Sequence, residues 1–453
     1  MTLIIPYILS ITLGYLVVER FTRKAISSWG LKLGLSLCCG LGLSGILTFL
    51  TLLSYGQYSS TLLFVLHIAI IAILISLDFK NLKQLPSSLI TYFKNRKGFD
   101  YITLTLFILL AFLLYAFAIR YPYGGWDAWA LWNMKLKFIL LGEHNWRNIF
   151  TLLHWHAQPD YPLLLSCINA WLCAISKNNV TTAPLATAVI LSWSVALIVF
   201  SALKEFISKY IALTATLLMT LNSYYILLST SQYSDVLLAV YVLCSIVLMS
   251  AYFKTQQFSL CFLTALFLGL MTFTKNEGIV ISLILMTLLG THLLIKHFKE
   301  TSQIKNISIL IIGYGLIAAI SASFKLFLTP NNPDIVPFGT AVEYEFLNMD
   351  GFLLVMKHFL NQVFHPQWAF VWALIIGSHL LFLPRFYSKK NIVFTLFFIL
   401  YGSVIVYIYL TTINFDLSWR LTFTLKRIMF YLLPAVMFIN FRVIFEENES
   451  KLS

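Results

Sequence analysis

Charge is scarce in this chain: 18 Asp and Glu and 31 Lys and Arg among 453 residues, so that charged residues make up 11% of it while hydrophobic ones make up 59%. That shortage excludes a soluble globular domain, or a string of them. Cysteine is also sparse. Cys38, Cys39, Cys167, Cys173, Cys244 and Cys261 lie in apolar stretches without CxxC spacing, which argues against a disulfide framework and against a cysteine metal site. No Pro/Gly/Ser linker, low-complexity tract or fixed-period repeat interrupts the sequence. A GxSxG elbow, a P-loop and an HExxH motif are all missing, which leaves serine hydrolase, NTPase and zincin chemistry without support. Gly40-x-Gly42-x-x-Gly45 spells a dinucleotide fingerprint, but inside an apolar run with no strand before it, so close helix packing is the expectation.

What is abundant is apolar sequence in runs of membrane-spanning length, about 20 residues each. They fall near 2–18, 33–54, 59–77, 101–119, 184–203, 210–229 and 236–253, and then near 258–274, 279–295, 306–328, 366–384, 391–413 and 428–445. The expected fold is all-α, a polytopic membrane helical bundle of about 13 transmembrane helices. The first run has no positive residue before it and is followed by Glu19, Arg20, Arg23 and Lys24 with no small-residue cleavage site, so it reads as a retained anchor. Residues 1–100 form a three-span leader, residues 101–445 hold every motif, and 446–453 form a short cytoplasmic tail.

The net charge of +13 does not point to nucleic acid, because the basic residues are dispersed over short loops. Placing the loops 19–32, 78–98, 204–209, 254, 296–305, 385–390 and the tail after 441 in the cytoplasm collects 20 of the 31 Lys and Arg there. Parity then requires the apolar run 162–176 to be a short helix that does not cross. The first outer loop, 120–161, and the outer loop 329–365 come out on the opposite side, with loop helices on that face.

The acids on that outer side are few. Asp127 stands between Trp126 and Trp129 in the first loop, Asp235 begins an apolar run in YSDVLLAVYV, and Glu277 follows Lys275 in TKNEG. A lone carboxylate in an aromatic bed can take a proton from an alcohol; an ordinary aromatic belt at the membrane interface is the plain alternative. Asp235 could equally cap its helix, and Glu277 could close a tight turn with Lys275. The basic partners are Lys275, Arg420, Lys426 and Arg427, with Lys135 and Lys137 nearer the first loop. Each could hold a phosphate headgroup or simply snorkel to the interface. His154, His156 and Asp160 have spacing that could contribute to a divalent cation site. His67, His292, His297 and His379 read as polar core or interface residues.

Four pieces, GGWDAWALWNMKLKF followed by PDYPLLLSCINAW, then YSDVLLAVYV, GLMTFTKNEG and TLKRIMFYLLP, together resemble the GT-C class of integral membrane glycosyltransferases. That class includes protein O-mannosyltransferases and lipid A aminoarabinose transferases, and the match looks nearest to a little-characterised bacterial branch. The resemblance implies a GT-C-like fold and transfer of a sugar, with inversion, from a polyprenyl-phosphate carrier to a glycan, lipid or protein acceptor on the non-cytoplasmic face of a bacterial inner membrane. It carries Asp127 over as the catalytic acid of the first loop and Asp235 as the acid of the later motif. Glu277, Lys275 and Arg427 line the same cavity, and Arg420, Lys135, Trp126, Trp129 and Asp160 complete the expected substrate-binding set. Neither metal nor nucleotide cofactor is implied, leaving a divalent cation open at His154, His156 and Asp160. Relatives in the class often have paired acids in the first loop where Asp127 is single, and usually one span before that loop. Acceptor recognition is expected from loops such as 329–365. The rival readings are a transporter or flippase of a lipid-linked or anionic substrate, which tends to carry charged or Gly/Pro-broken helices at the midplane, and a glycan polymerase or ligase.

Overall fold

The computed structural model describes residues 2–23, 25–82, 98–297, 302–330, 349–411 and 416–446, and their regular structure is helical throughout. The chain opens with α1 (Ile4–Thr22), α2 (Trp29–Tyr55), α3 (Ser60–Leu82) and α4 (Gly98–Ala118). The first outer loop adds α5 (Asn133–Leu141), and the run at 162–176 becomes α6 (Leu164–Leu172), nine residues long and buried along its whole length. Then follow α7 (Thr182–Leu203), α8 (Lys209–Thr220), α9 (Ser223–Thr230), α10 (Ser234–Thr255), α11 (Ser259–Thr272), α12 (Asn276–His297) and α13 (Ser302–Phe327). The last part holds α14 (Met349–Val363), α15 (Val371–Leu381), the single turn α16 (Leu383–Phe386), α17 (Ile392–Thr411) and α18 (Leu417–Phe445).

Among the described residues, ten helices (α1–α4, α7, α10, α12, α13, α17 and α18) are long and apolar enough to cross a membrane, the pattern of a multi-pass integral membrane protein. Three of the expected runs take other forms. The run 210–229 is broken into α8 and α9, bent by 69°, because Asn222 turns its side chain onto the backbone: its Oδ1 accepts from Tyr225 N at 2.8 Å and its Nδ2 donates to Met219 O. The run 366–384 shortens to the 11 residues of α15, since Ala369 and Phe370 take left-handed conformations (φ 49° and 57°) ahead of it. The run 258–274 shortens to the 14 residues of α11. Of the outer loop 329–365, residues 331–348 lie outside the described residues, and the amphipathic α14 buries Gly351, Val355 and Val363 while exposing Phe352, Leu353 and Leu360.

The bundle is organised around α10, which is apolar on every side and almost wholly buried against α7, α11 and α18. The leader is not a separate body. α2 packs on α1, α6 and α7, and a Cβ added at Gly40 would strike the carbonyl of Ser10 on α1. Gly42 faces Tyr241 and Leu270, and Gly45 faces Leu164 and Ile168, so the three glycines serve three different helix contacts. His67 on α3 completes this region: stacked on Trp171 at 3.8 Å, it bonds Ser44 Oγ, which bonds Ser10 Oγ. All six cysteines are buried and free.

The two ends of the bundle differ in chemistry. At one end the basic loops tie to one another: Arg20 to Asp78 at 3.1 Å, Lys32 to Glu19 at 2.8 Å, Lys254 to the Glu205 carbonyl at 2.7 Å and Lys390 to Glu446 at 2.7 Å. Arg442, wholly buried, lies between the rings of Phe206 and Phe394, 5.3 Å from each. The opposite end gathers the carboxylates of Asp127, Asp235 and Glu277.

Candidate functional site

The loop 120–161 reaches that opposite end through a dock built on the turn before α10. Gly124 has φ +73°, and a side chain there would meet the Ser231 carbonyl; Gly125 N donates to the same carbonyl at 3.0 Å. Gln232, itself left-handed at φ 61°, clamps the loop with both ends of its amide: Nε2 donates to Pro122 O at 2.9 Å, and Oε1 accepts from Asn133 Nδ2 at 3.1 Å. Between these anchors Asp127 precedes a five-residue π-helical turn, Ala128–Trp132, a local irregularity that often marks functional positions.

Four distant segments then meet in one ionic chain. Arg427, ten residues into α18, donates from Nη1 to Asp127 Oδ2 at 2.6 Å and from Nε to Asp235 Oδ2 at 2.8 Å, with Nη2 2.7 Å from the same oxygen. The other oxygen of Asp235 accepts from Lys275 Nζ at 3.0 Å, and Lys275 also pairs with Glu277 Oε1 at 2.8 Å. Five side chains therefore alternate as acid, base, acid, base, acid, with one negative charge in excess. The tyrosines form a bed beneath them: Tyr233 lies 4.8 Å under the Arg427 guanidinium, Tyr431 5.9 Å from Lys275 Nζ, and Tyr401 bonds Tyr431 hydroxyl to hydroxyl at 2.5 Å.

Exposure divides the chain of charges. Asp235 is fully buried and the Lys275 side chain nearly so, whereas the side chains of Asp127, Glu277 and Arg427 are 22%, 26% and 18% exposed. A buried ion pair holds only when its partners are completed by further bonds, and Asp235 has both oxygens taken. Asp235 does stand in the first turn of α10, where an acid suits the helix terminus, and its carboxylate bonds Arg427 and Lys275 as well. Glu277 does close a pair with Lys275, as the tight-turn alternative had it, but that pair is one link of the larger chain. The second oxygen of Glu277 is buried and has no hydrogen-bond partner among the described residues.

A second unit adjoins the first through the start of α12. Asn276 Nδ2 donates to Asp160 Oδ2 at 2.8 Å, and Lys325, from the end of α13, reaches Asp160 at both its side chain (3.3 Å) and its carbonyl. Lys135 stands beside this unit rather than on the ionic chain. Wholly buried, it donates to the carbonyls of Gln158 at 2.8 Å and Tyr161 at 3.0 Å, and burial pushes its ammonium down to about 7, with Asp160 opposing the shift and Lys325 adding to it. Burial, then Glu277 and Asp160, push the Tyr161 phenol well up.

The remaining expected residues lie at the rim. Trp126 and Trp129 are each 53% exposed and meet edge-on at 5.5 Å beside Asp127. Arg420, two turns before Arg427 on α18, lies 5.5 Å from the ring of Tyr409. Lys426 lies 5.9 Å from the rings of Tyr224 and Phe423. His154 meets Phe138 edge-on at 5.1 Å, the His156 side chain lies outside the described residues, and Asp160 is directed to Asn276 and Lys325. Among the described residues no three His, Cys, Asp or Glu side chains gather as a metal-binding group.

Gln232, Lys325 and the tyrosine bed are not singled out by the sequence. A neutral amide in TSQYSD and a lysine at the end of an apolar run carry no signal that separates them from ordinary turn and interface residues.

No family model, no curated protein and no solved structure matches this chain.

Proposed function

We propose that this protein is a GT-C-like membrane glycosyltransferase with an active site at the carboxylate end of the bundle. In this reading it moves a sugar from a polyprenyl-phosphate carrier to a hydroxyl acceptor. The observation that carries the proposal is the Arg427 bridge, which puts a partly exposed carboxylate, Asp127, against a guanidinium that is itself held by the buried Asp235 and Lys275. An anion-binding group and a proton acceptor side by side are what displacement of a phosphate by an alcohol requires.

In the reaction the acceptor oxygen attacks the anomeric carbon with inversion and gives its proton to Asp127, while the bond from that carbon to the phosphate oxygen breaks and the carrier phosphate leaves with the electron pair. Arg427 receives the developing charge. Asp235 and Lys275 are buried and act through Arg427, as positioning residues, and Glu277 holds Lys275 from the solvent side. Trp126 and Trp129 offer ring faces beside Asp127. In this reading the bent pair α8–α9 and the segments around the short α11 and α15 are taken as further crossings, thirteen in all, which gives the helices alternating directions. The basic loops then face the cytoplasm and the site faces outward; a bacterial inner membrane follows from the resemblance in sequence. The placement of charge at one end of the bundle favours surface chemistry over a transporter, whose binding groups belong near the midplane.

The test is transfer of radiolabel from a panel of polyprenyl-phosphate sugars in membranes holding the wild type or Asp127→Asn. Loss of transfer by about 10² to 10⁴ in the variant is expected. Near-normal activity of Asp127→Asn sinks the base assignment, and label appearing across the bilayer without transfer favours the flippase.

A further inference from the structure

The two ends of the Arg427 bridge are held very differently. On one side Nε and Nη2 fork onto Asp235, which is fully buried and whose other oxygen is fixed by Lys275. The Tyr233 ring lies 4.8 Å under the guanidinium and keeps it in place from below. On the other side Nη1 reaches a single oxygen of Asp127, a partly exposed residue at the head of a π-helical turn in a surface loop. The guanidinium is thus anchored at one end and only tethered at the other.

The charge of the cluster makes the tether exchangeable. Three acids face two bases in this chain of charges before any ligand arrives, so a phosphate that binds Arg427 has to displace a carboxylate already paired with it. A guanidinium presents its N–H groups in a planar fork that suits two phosphate oxygens better than one carboxylate oxygen. We propose that the Asp127–Arg427 pair is a latch opened by the donor: the phosphate of the lipid carrier takes the place of Asp127 on Nη1 of Arg427, and the carboxylate set free becomes the proton acceptor. The inference rests on the reading that the site takes a phosphate-linked donor. It adds an order to the reaction, because Asp127 is a competent base only after donor phosphate is seated. A water or acceptor hydroxyl reaching the empty site meets a carboxylate whose charge is already neutralised by Arg427.

The latch makes one unusual demand: the substitution that abolishes chemistry must tighten phosphate binding. The full chain, purified in detergent, is titrated with geranylgeranyl phosphate and with geranylgeraniol, the quenching of tryptophan fluorescence giving affinity. Asp127→Asn is expected to bind the phosphate about tenfold more tightly than wild type, the size of one lost competing ion pair, with the alcohol unchanged. In an Arg427→Lys background, where a single ammonium stays on the buried Asp235, that gain shrinks to about threefold or less, the part owed to charge at a distance. If Asp127→Asn is not monodisperse on size exclusion, Asp127→Ser carries the same comparison.

Equal or weaker phosphate binding by the variant, with wild-type binding still dependent on Arg427, overturns the latch and leaves the transferase reading standing. A gain that persists in full with Arg427→Lys also overturns it, as a general charge effect. A wild type that binds phosphate no better than alcohol overturns both.

Discussion

Asp127 and Arg427 stand 300 positions apart in the chain and meet at 2.6 Å. One comes from a surface loop and the other from the third turn of the last helix, so the contact depends on the fold that joins them. Stability and chemistry can therefore be separated at the two ends of the same bridge.

Asp235→Ala is expected to cost about 3–5 kcal/mol, because it strands Arg427 and Lys275 in a buried setting. Asp127→Asn is expected to cost under about 1 kcal/mol, since its carboxylate is partly exposed. Thermal unfolding followed with a thiol-reactive dye measures both, the six buried cysteines becoming reactive only as the fold opens. Equal shifts in Tm contradict the division into anchored and tethered ends.

Gln232→Ala leaves a loop carbonyl and the Asn133 amide without their partner, at about 1–3 kcal/mol if both stay buried. Most of that is expected as local opening of the first loop rather than loss of the fold. Limited proteolysis reads the difference: cleavage within 120–132 rises while Tm falls little, and an unchanged digest refutes the docking role.

Two glycine substitutions are expected to act in opposite directions. Gly40→Ala drives a methyl group into the Ser10 carbonyl and costs about 1–3 kcal/mol. Gly290→Ala, in mid-helix with nothing within 4 Å of an added Cβ, gains about 0.5–1 kcal/mol from helix propensity. The same dye assay ranks them, and a stabilising Gly40→Ala removes the close approach of α1 and α2 from the account.

Lys135 gives a pH prediction with a definite sign. Its folded-state value near 7 lies below the unfolded value of about 10.4, so between those two the unfolded chain binds more protons and stability rises with pH. Below about 7 both states hold the proton and the burial penalty is complete. A neutral amine has two N–H groups, matching its two carbonyl acceptors. Lys135→Met should flatten the rise in Tm between pH 6.5 and pH 9 that the wild type shows; parallel curves for the two proteins refute the assignment.

The sequence exposes the ionic chain because outer acids are so few that Asp127, Asp235 and Glu277 stand out against the apolar runs. It hides what supports them. Gln232 works through backbone carbonyls and a left-handed conformation, neither of which has a composition, and Lys325 looks like any lysine at a membrane interface. Hydropathy finds where helices begin and end only when nothing polar turns back on the backbone, which is why Asn222 and the Ala369–Phe370 kink cut runs that look continuous. The glycines of α2 read correctly as packing positions, yet only the structure assigns each one to a different neighbour.

That assignment carries a consequence in time. The Gly42 position of α2 is closed by Tyr241 and Leu270, which leave the ribosome about 10–45 s after Gly42 at usual rates of synthesis. During that interval Gly42 lacks the two side chains that close over it, although Gly40 already has α1 against it. A nascent chain halted before α11 is expected to present this face to membrane proteases, and one halted after it to be protected, so that α2 reports whether synthesis has reached the middle of the protein.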